Sequence, residues 1–227
     1  MRYVRGVVRR LRSIMPFRRT PSGPCLTLLG DREIEWSWSA ANMPHGPGEA
    51  LDFGPGGSYL GLIAAQRDFT VTSIDLGAVD WPYVHPALRF VEGDLLKLAL
   101  PNGHFDLVIN CSTVEHVGLA GRYGVTESHP DGDLAAMRRL RDLMKPGGSM
   151  LLTVPVGRDA VFMPLHRVYG EQRLPQLLRG YAVVKEKYWV KDDLNRWVAT
   201  GRSEALARTP QERCYGLGCF VLRRAGD

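Results

Sequence analysis

The sequence predicts an α/β fold, an open doubly wound sheet of about seven strands with an antiparallel strand near its end and helices on both faces. Two observations lead there. Short, continuously apolar segments at residues 50–53, 71–75, 88–91, 105–110 and 150–154 alternate with helix-like stretches at 58–67, 79–87, 113–120 and 131–144. Strands with no polar face need cover on both sides, which parallel sheets obtain from the helices between their strands. Residues 181–189 and 219–222 then read as two late strands around a polar, partly helical insertion, as an antiparallel closing pair would.

Taken in order, the chain opens on a segment with Val4, Val7, Val8, Leu11, Ile14 and Met15 on one side of a helix and Arg2, Arg5, Arg9, Arg10 and Arg12 on the other. Pro16 and the run from Thr20 to Pro24 end it and act as a linker, so residues 1–24 form a basic appendage and 25–227 a single domain. Residues 31–38 look helical and stop before Asn42, Pro44, Gly46, Pro47 and Gly48. This helix would cover one end of the sheet or cap a ligand, with Trp36 and Trp38 as packing anchors. The helix of 131–144 runs to Lys145, where Pro146-Gly147-Gly148 turns the chain sharply into the next strand.

Composition narrows the function. The apolar and charged fractions, 44% and 23%, are those of a globular protein. There is neither a run of about eighteen apolar residues nor a signal-peptide pattern, and the expectation is a cytoplasmic protein. Cys25, Cys111, Cys214 and Cys219 show no metal-site spacing and read as reduced thiols. The net charge of +5 is misleading, because seven arginines lie in the first nineteen residues and no acid precedes Asp31. The remainder holds 22 basic and 24 acidic residues, which argues against nucleic acid as a partner. An arginine-rich amphipathic helix can instead lie on an anionic membrane surface, so residues 1–19 are a candidate peripheral contact at the inner face of the membrane. Packing on its own domain or on a partner is the simpler alternative. The sequence is compatible with a homo-oligomer.

In an open parallel sheet, ligands bind beyond the carboxyl ends of the strands where strand order reverses. The first strand there runs into Asp52, Phe53, Gly54, Pro55, Gly56, Gly57 and Ser58, a bend whose glycines let backbone approach a ligand. Asp75 closes the second strand, 23 residues after Asp52, and is followed by Leu76. A carboxylate there can accept hydrogen bonds from both ribose hydroxyls of an adenosine ligand. After the third strand Asp94, followed by Leu95, can accept from an adenine amino group. Cys111, with Asn110, Ser112 and Thr113, would line the far end of the ligand. Each carboxylate taken singly also reads as a helix cap.

These segments resemble the class I S-adenosylmethionine (SAM)-dependent methyltransferases. The motifs are LDFGPGG, VTSIDL, VEGDLLKL, FDLVINCSTVEHV and MKPGGSMLLTVPVG, from about Gly48 to Gly157 and more loosely beyond. The resemblance implies a Rossmann-like three-layer sandwich, SAM as cofactor with its methionine end toward Cys111, and methyl transfer as the activity. Ser58 replaces the third glycine of the usual acidic-x-Gly-x-Gly-x-Gly motif. Tyr59 stands where a nicotinamide-type G-x-G-x-x-G pattern needs glycine. A narrower likeness, through STVEHVG, RYG, DGD and HRVYG between Ser112 and Gly170, is to a little-characterised branch with relatives in polysaccharide and glycan pathways. It implies a sugar, oligosaccharide or glycan-precursor hydroxyl as acceptor. Methylation of another small metabolite (a phenol, carboxylate or amine) and a non-catalytic partner subunit are the alternatives.

A neutral hydroxyl needs a general base or a metal. Glu115 and His116 follow the fourth strand and His166 the fifth, across one crevice, which makes these three the catalytic candidates. Glu115-His116 also resembles a Glu-x-x-Glu-His segment that binds a divalent ion in some O-methyltransferases. Ser112 replaces its first glutamate, so Mg²⁺ there would need His166, Asp131 or Asp133 to complete the set. Without metal, Glu115 caps the short helix and His116 meets the acceptor directly. Arg122, Tyr123, Arg167 and Tyr169 form either an acceptor wall or a structural cluster.

Overall fold

The structure, a computed structural model, describes residues 30–226. The appendage expected over residues 1–24, an amphipathic helix and a linker by the sequence reading, lies outside the described residues. The elements in chain order are α1 (Asp31–Asn42), β1 (Gly48–Phe53), α2 (Leu60–Ala65), β2 (Phe69–Asp75), β3 (Leu88–Glu92) and β4 (Phe105–Cys111). A 3-10 turn (Val114–His116), α3 (Gly132–Leu143), β5 (Met144–Val156), β6 (Ala160–Phe162), β7 (His166–Val168) and α4 (Arg173–Leu177) follow. The chain ends with β8 (Tyr181–Lys191), β9 (Trp197–Thr200), α5 (Arg202–Ala207) and β10 (Gly216–Arg224).

Eight strands form one sheet in the order β3-β2-β1-β4-β5-β10-β8-β9. The chain builds outward from β1 to β3, then returns to lay β4 on the other flank of β1. The strand order therefore reverses between β1 and β4, which is where a ligand crevice belongs. β1 to β5 pair in parallel, and β10 runs against both neighbours, β5 and β8. The sheet has one strand more than the sequence predicts. β9 (Trp197–Thr200) is the addition, a four-residue strand inside the polar insertion with Val198 and Ala199 exposed, too short a run to stand out. A separate hairpin, β6–β7, carries His166.

The sheet buries both faces. Leu107 and Ile109 pack with Leu151 and Cys219 toward α1 and α2, whereas Val108, Leu152 and Phe220 pack toward α3 and α4. Neighbours along one strand thus enter different cores, and that is why these strands read as continuously apolar.

Three local expectations change. Residues 79–87 form no helix, because Pro82 and Pro86 interrupt them. They form a loop over the glycine bend, where Trp81 Nε1 donates to the Gly56 carbonyl at 3.1 Å and the Tyr83 hydroxyl to the Ser58 carbonyl at 3.0 Å. The helix expected at 113–120 shrinks to the single turn Val114–His116. Cys214 is disulfide-bonded, which corrects the expectation of four reduced thiols, while Cys111 and Cys219 are free. No described helix is long and apolar enough to cross a membrane.

Candidate functional site

A cleft of about 790 Å³ opens at the carboxyl ends of β1 to β4. Its floor is the bend after β1. Gly54 has φ +66°, and a Cβ there would collide with the Thr113 side chain. Thr113 Oγ1 lies 3.0 Å from the Gly54 carbonyl and 3.1 Å from that of Cys111, tying the ends of β1 and β4 together. Gly56 has φ +49° with nothing within 4 Å of a built Cβ, so bare backbone faces open space.

The expected cofactor residues Phe53, Gly54, Pro55, Gly56, Asp75, Leu76, Asp94, Leu95 and Cys111 all line this cleft. Asp75 Oδ2 accepts from Gly56 N at 3.3 Å, and its other oxygen has no hydrogen-bond partner among the described residues. Asp94 closes an Asx turn, Oδ1 accepting from Leu96 N at 2.9 Å, and Oδ2 pairs with Lys97 at 3.4 Å. Asp52 departs from the expectation: it is 2% exposed and does not line the cleft. Ser73 Oγ donates to its Oδ2 at 3.4 Å, and a Cβ on Gly61 would lie 2.6 Å from that oxygen. Asp52 therefore braces the bend against α2 and β2 from below. Burial pushes its carboxyl up to about 7.

The other half of the cleft holds the catalytic candidates Glu115, His116 and His166. His116 Nδ1 lies 2.5 Å from the Leu165 carbonyl, so the proton sits on Nδ1 and Nε2 keeps its lone pair. Burial lowers His116 to about 4, with the Leu165 bond opposing the shift. Glu115 Oε1 stands 3.7 Å from His116 Nε2, and Glu115 Oε2 is buried with no partner. Burial raises this carboxyl to about 7. His166 packs against Tyr215 and Phe162, at 4.8 and 5.6 Å between ring centroids, and its Nε2 is also buried without a partner. Burial and the nearby His116 lower it to about 4. Tyr123 lies edge-on to His116, with the Arg122 guanidinium 4.5 Å above the tyrosine ring.

Comparison with known proteins agrees with this geometry. Residues 96–206 match the family described as Caenorhabditis protein of unknown function, DUF268. An uncharacterised methyltransferase of Mycobacterium bovis is 26% identical over 115 residues, which are 48% of this chain and 52% of that protein. A Mycobacterium tuberculosis counterpart matches to the same extent, and the chain spans about half the length of these curated relatives. Among solved structures, the Burkholderia thailandensis 1,6-didemethyltoxoflavin N1-methyltransferase, crystallised with S-adenosylhomocysteine, superposes with TM-score 0.60 at 18% identity, over 85% of this chain and 77% of that one. A SAM-dependent methyltransferase of Mesorhizobium loti gives 0.53 at 18% identity, over 84% and 97%. The chain has the fold of the class I SAM-dependent methyltransferases. The same fold also supports other chemistry, since the (4+2)-cyclase SpnF matches with TM-score 0.57 at 16% identity, over 86% of this chain and 81% of that one.

Two readings that the sequence left open are narrowed within that fold. Arg167 and Tyr169 form the structural cluster rather than an acceptor wall. Arg167 is 2% exposed and donates to the carbonyls of Val117, Pro130 and His129 at 2.7, 3.1 and 3.3 Å. The Tyr169 hydroxyl, fully buried, donates to Asp133 Oδ2 at 3.1 Å. A metal site at Glu115 and His116 does not fit either. Asp133 is held by Arg173 and Asp131 pairs with Arg173 at 3.2 Å, so neither completes the set, and no group of three such ligands occurs among the described residues.

The sequence reading missed Glu35, Arg32 and Tyr215. Glu35 is 1% exposed and its Oε1 accepts from the Ser112 hydroxyl and, at 3.1 Å, from Thr153. The signal was present: Glu35 shares the buried stripe of α1 with Trp38 and Ser39, an odd place for a charge.

Proposed function

We propose that the protein is a SAM-dependent O-methyltransferase that methylates a hydroxyl of a sugar, oligosaccharide or glycan precursor. The observation that carries this reading is one continuous cleft. It joins the glycine bend, Asp75 and Asp94 at one end to the open Nε2 of His116 at the other.

The cofactor half fits SAM on its own terms. Gly56 presents unobstructed backbone, and Asp75 keeps an oxygen for a ribose hydroxyl. SAM bound here supplies a methyl group already activated on a sulfonium, so the protein need not create an electrophile. Its task is to align the acceptor and take a proton. Bound SAM would supply the methyl carbon to the acceptor oxygen, its sulfur keeping the electron pair of the bond given up. His116 Nε2 would take the proton that the acceptor hydroxyl loses. Ionised Glu115, 3.7 Å away, then stabilises the imidazolium. The unpartnered Glu115 Oε2 and His166 Nε2 suit an acceptor with several hydroxyls, each of which can satisfy one of them.

A base held this firmly favours a hydroxyl over an amine, whose neutral form needs no deprotonation before attack. The didemethyltoxoflavin enzyme shows that the fold alone does not choose oxygen over nitrogen. The sugar assignment draws on the glycan-pathway likeness of residues 112–170 and on Tyr123 and Tyr215 flanking the histidines. The arginine-rich residues 1–19 would hold this activity at an anionic membrane surface from the cytoplasmic side. Anionic vesicles should sediment with the full chain and not with one lacking those residues.

The decisive experiment incubates the protein with methyl-labelled SAM and a panel of glycans, phenols, carboxylates and amines, followed by mass analysis. Label on a sugar oxygen is expected, with turnover insensitive to a chelator. Label confined to nitrogen would replace the acceptor assignment, and absence of SAM binding in calorimetry would end the reading altogether.

A further inference from the structure

We infer that Arg32 is the anion anchor of the cleft, gripping the α-carboxylate of the cofactor's amino-acid tail and selecting nucleosides that carry that tail. The inference builds on the SAM reading above.

Lysine and arginine contribute three residues to the cleft lining: Arg32, Lys97 and Arg122. Two have evident occupations. Lys97 pairs with Asp94 at the expected adenine end, and Arg122 lies over Tyr123 beside the catalytic histidine. Arg32, on the first turn of α1, lines the remaining end with Trp36, Cys111, Ser112 and Tyr215.

A guanidinium has five N–H donors in a planar fork. Arg32 spends Nη1 on Glu35 Oε2 at 2.8 Å, and no other side-chain N–H has a hydrogen-bond partner among the described residues. The side chain is 49% exposed although it belongs to an ion pair whose other member is buried. Glu35 explains the placement. Its Oε1 is fixed by the hydroxyls of Ser112 and Thr153 beyond β4 and within β5, and its Oε2 aligns Arg32 at the cleft edge. Glu35 is thus a positioning residue, and the free side of the fork is left for a second carboxylate. A SAM-type ligand with adenine at Asp94 and ribose at Asp75 has a single carboxylate, at its far end. Bidentate pairing with arginine is the strongest way to hold it.

The test uses calorimetry on the full chain with two probes, S-adenosylhomocysteine and 5′-methylthioadenosine, which lacks the amino-acid tail. The wild type should prefer the first. Arg32→Ala should weaken S-adenosylhomocysteine by roughly 10- to 100-fold, leave methylthioadenosine unchanged and so abolish the preference. Arg32→Lys should recover part of it. A thermal melt of each variant checks the fold, because Arg32→Ala leaves the buried Glu35 Oε2 without its partner whereas Arg32→Lys keeps a cation beside it. Arg32→Ala with the wild-type preference intact, or with both probes weakened equally, would overturn the assignment. If the wild type binds neither probe, the SAM reading falls first and this inference with it.

Discussion

His116 Nδ1 lies 2.5 Å from the Leu165 carbonyl oxygen, and a carbonyl can only accept. That contact fixes the tautomer, because the proton must be on Nδ1, and it aims an unprotonated Nε2 at the cleft. Leu165 belongs to the turn between β6 and β7, so the small hairpin orients the His116 ring. His116→Ala should therefore bind S-adenosylhomocysteine normally and lose turnover by about 10²–10⁴-fold, the usual worth of a positioned base. Calorimetry and a labelled-methyl assay together check both halves, and normal turnover would remove His116 from the reaction.

Glu115 should give the pH–rate profile its shape. Burial sets His116 near 4 and Glu115 near 7. Below about pH 4 the imidazole is protonated and cannot accept. Between the two values it is neutral beside a neutral carboxyl. Above about pH 7 the carboxylate ionises, and its charge, 3.7 Å from Nε2, favours proton uptake by His116. Turnover should rise as pH passes through 7 in the wild type, and Glu115→Gln should flatten that limb. A rising limb unchanged in the variant would show that Glu115 does not act on the base.

What was legible in the sequence follows from how local each signal is. β1, β2 and β4 are marked by runs such as Phe105–Cys111, which bury both faces and need no partner to be recognised. Asp75 announces itself by ending such a strand, and Asp94 by standing just past the end of β3. Asp52 sits in the same pattern, yet its side chain turns under the bend toward Ser73, a direction that spacing does not encode. Arg167 stays open between an acceptor wall and a structural cluster until the segments after the 3-10 turn and before α3 close around it with carbonyls from Val117 and Pro130. Those contacts span 50 and 37 residues of chain, and no local window contains them.

The glycine bend gives a third prediction. Gly54 combines φ +66° with a built Cβ that would occupy the Thr113 side chain. Alanine would be strained twice, by its backbone conformation and by the collision, and would push the ends of β1 and β4 apart. Gly54→Ala should cost about 1–3 kcal/mol in a denaturant melt and abolish measurable SAM binding. Gly56→Ala has the same positive φ without a neighbour, and should keep more stability while still obstructing the ligand. Equal stability losses in the two variants would show that Thr113 gives way.

Arg167 should prove structural. Asp133 keeps its contacts to Arg173 when Arg167 is removed, so the buried carboxylate is not stranded. The loss falls on the carbonyls of Val117, His129 and Pro130, which bind Arg167 and close the loop beside the cleft. Arg167→Leu should destabilise by roughly 2–4 kcal/mol, since each buried acceptor left unpaired costs about 1–3 kcal/mol. A stable variant with lost turnover would instead place the guanidinium on the acceptor.

Asp52 offers the sharpest test of burial. Its carboxyl is raised from 3.8 to about 7 in the fold. Between those values the folded state holds a proton that the unfolded chain has released, so this group's contribution to stability falls as pH climbs through the window and is constant above it. Asp52→Asn removes the titration and keeps the size, while Glu35 and Glu115, also raised to about 7, are present in both proteins and cancel in the comparison. The destabilisation caused by Asp52→Asn should accordingly be largest near pH 4 and shrink toward pH 7. Denaturant melts of both proteins across that range measure it directly. A penalty that grows with pH would mean that Asp52 is ionised beneath the bend, stabilised there by Ser73 and the start of α2 rather than held neutral by burial.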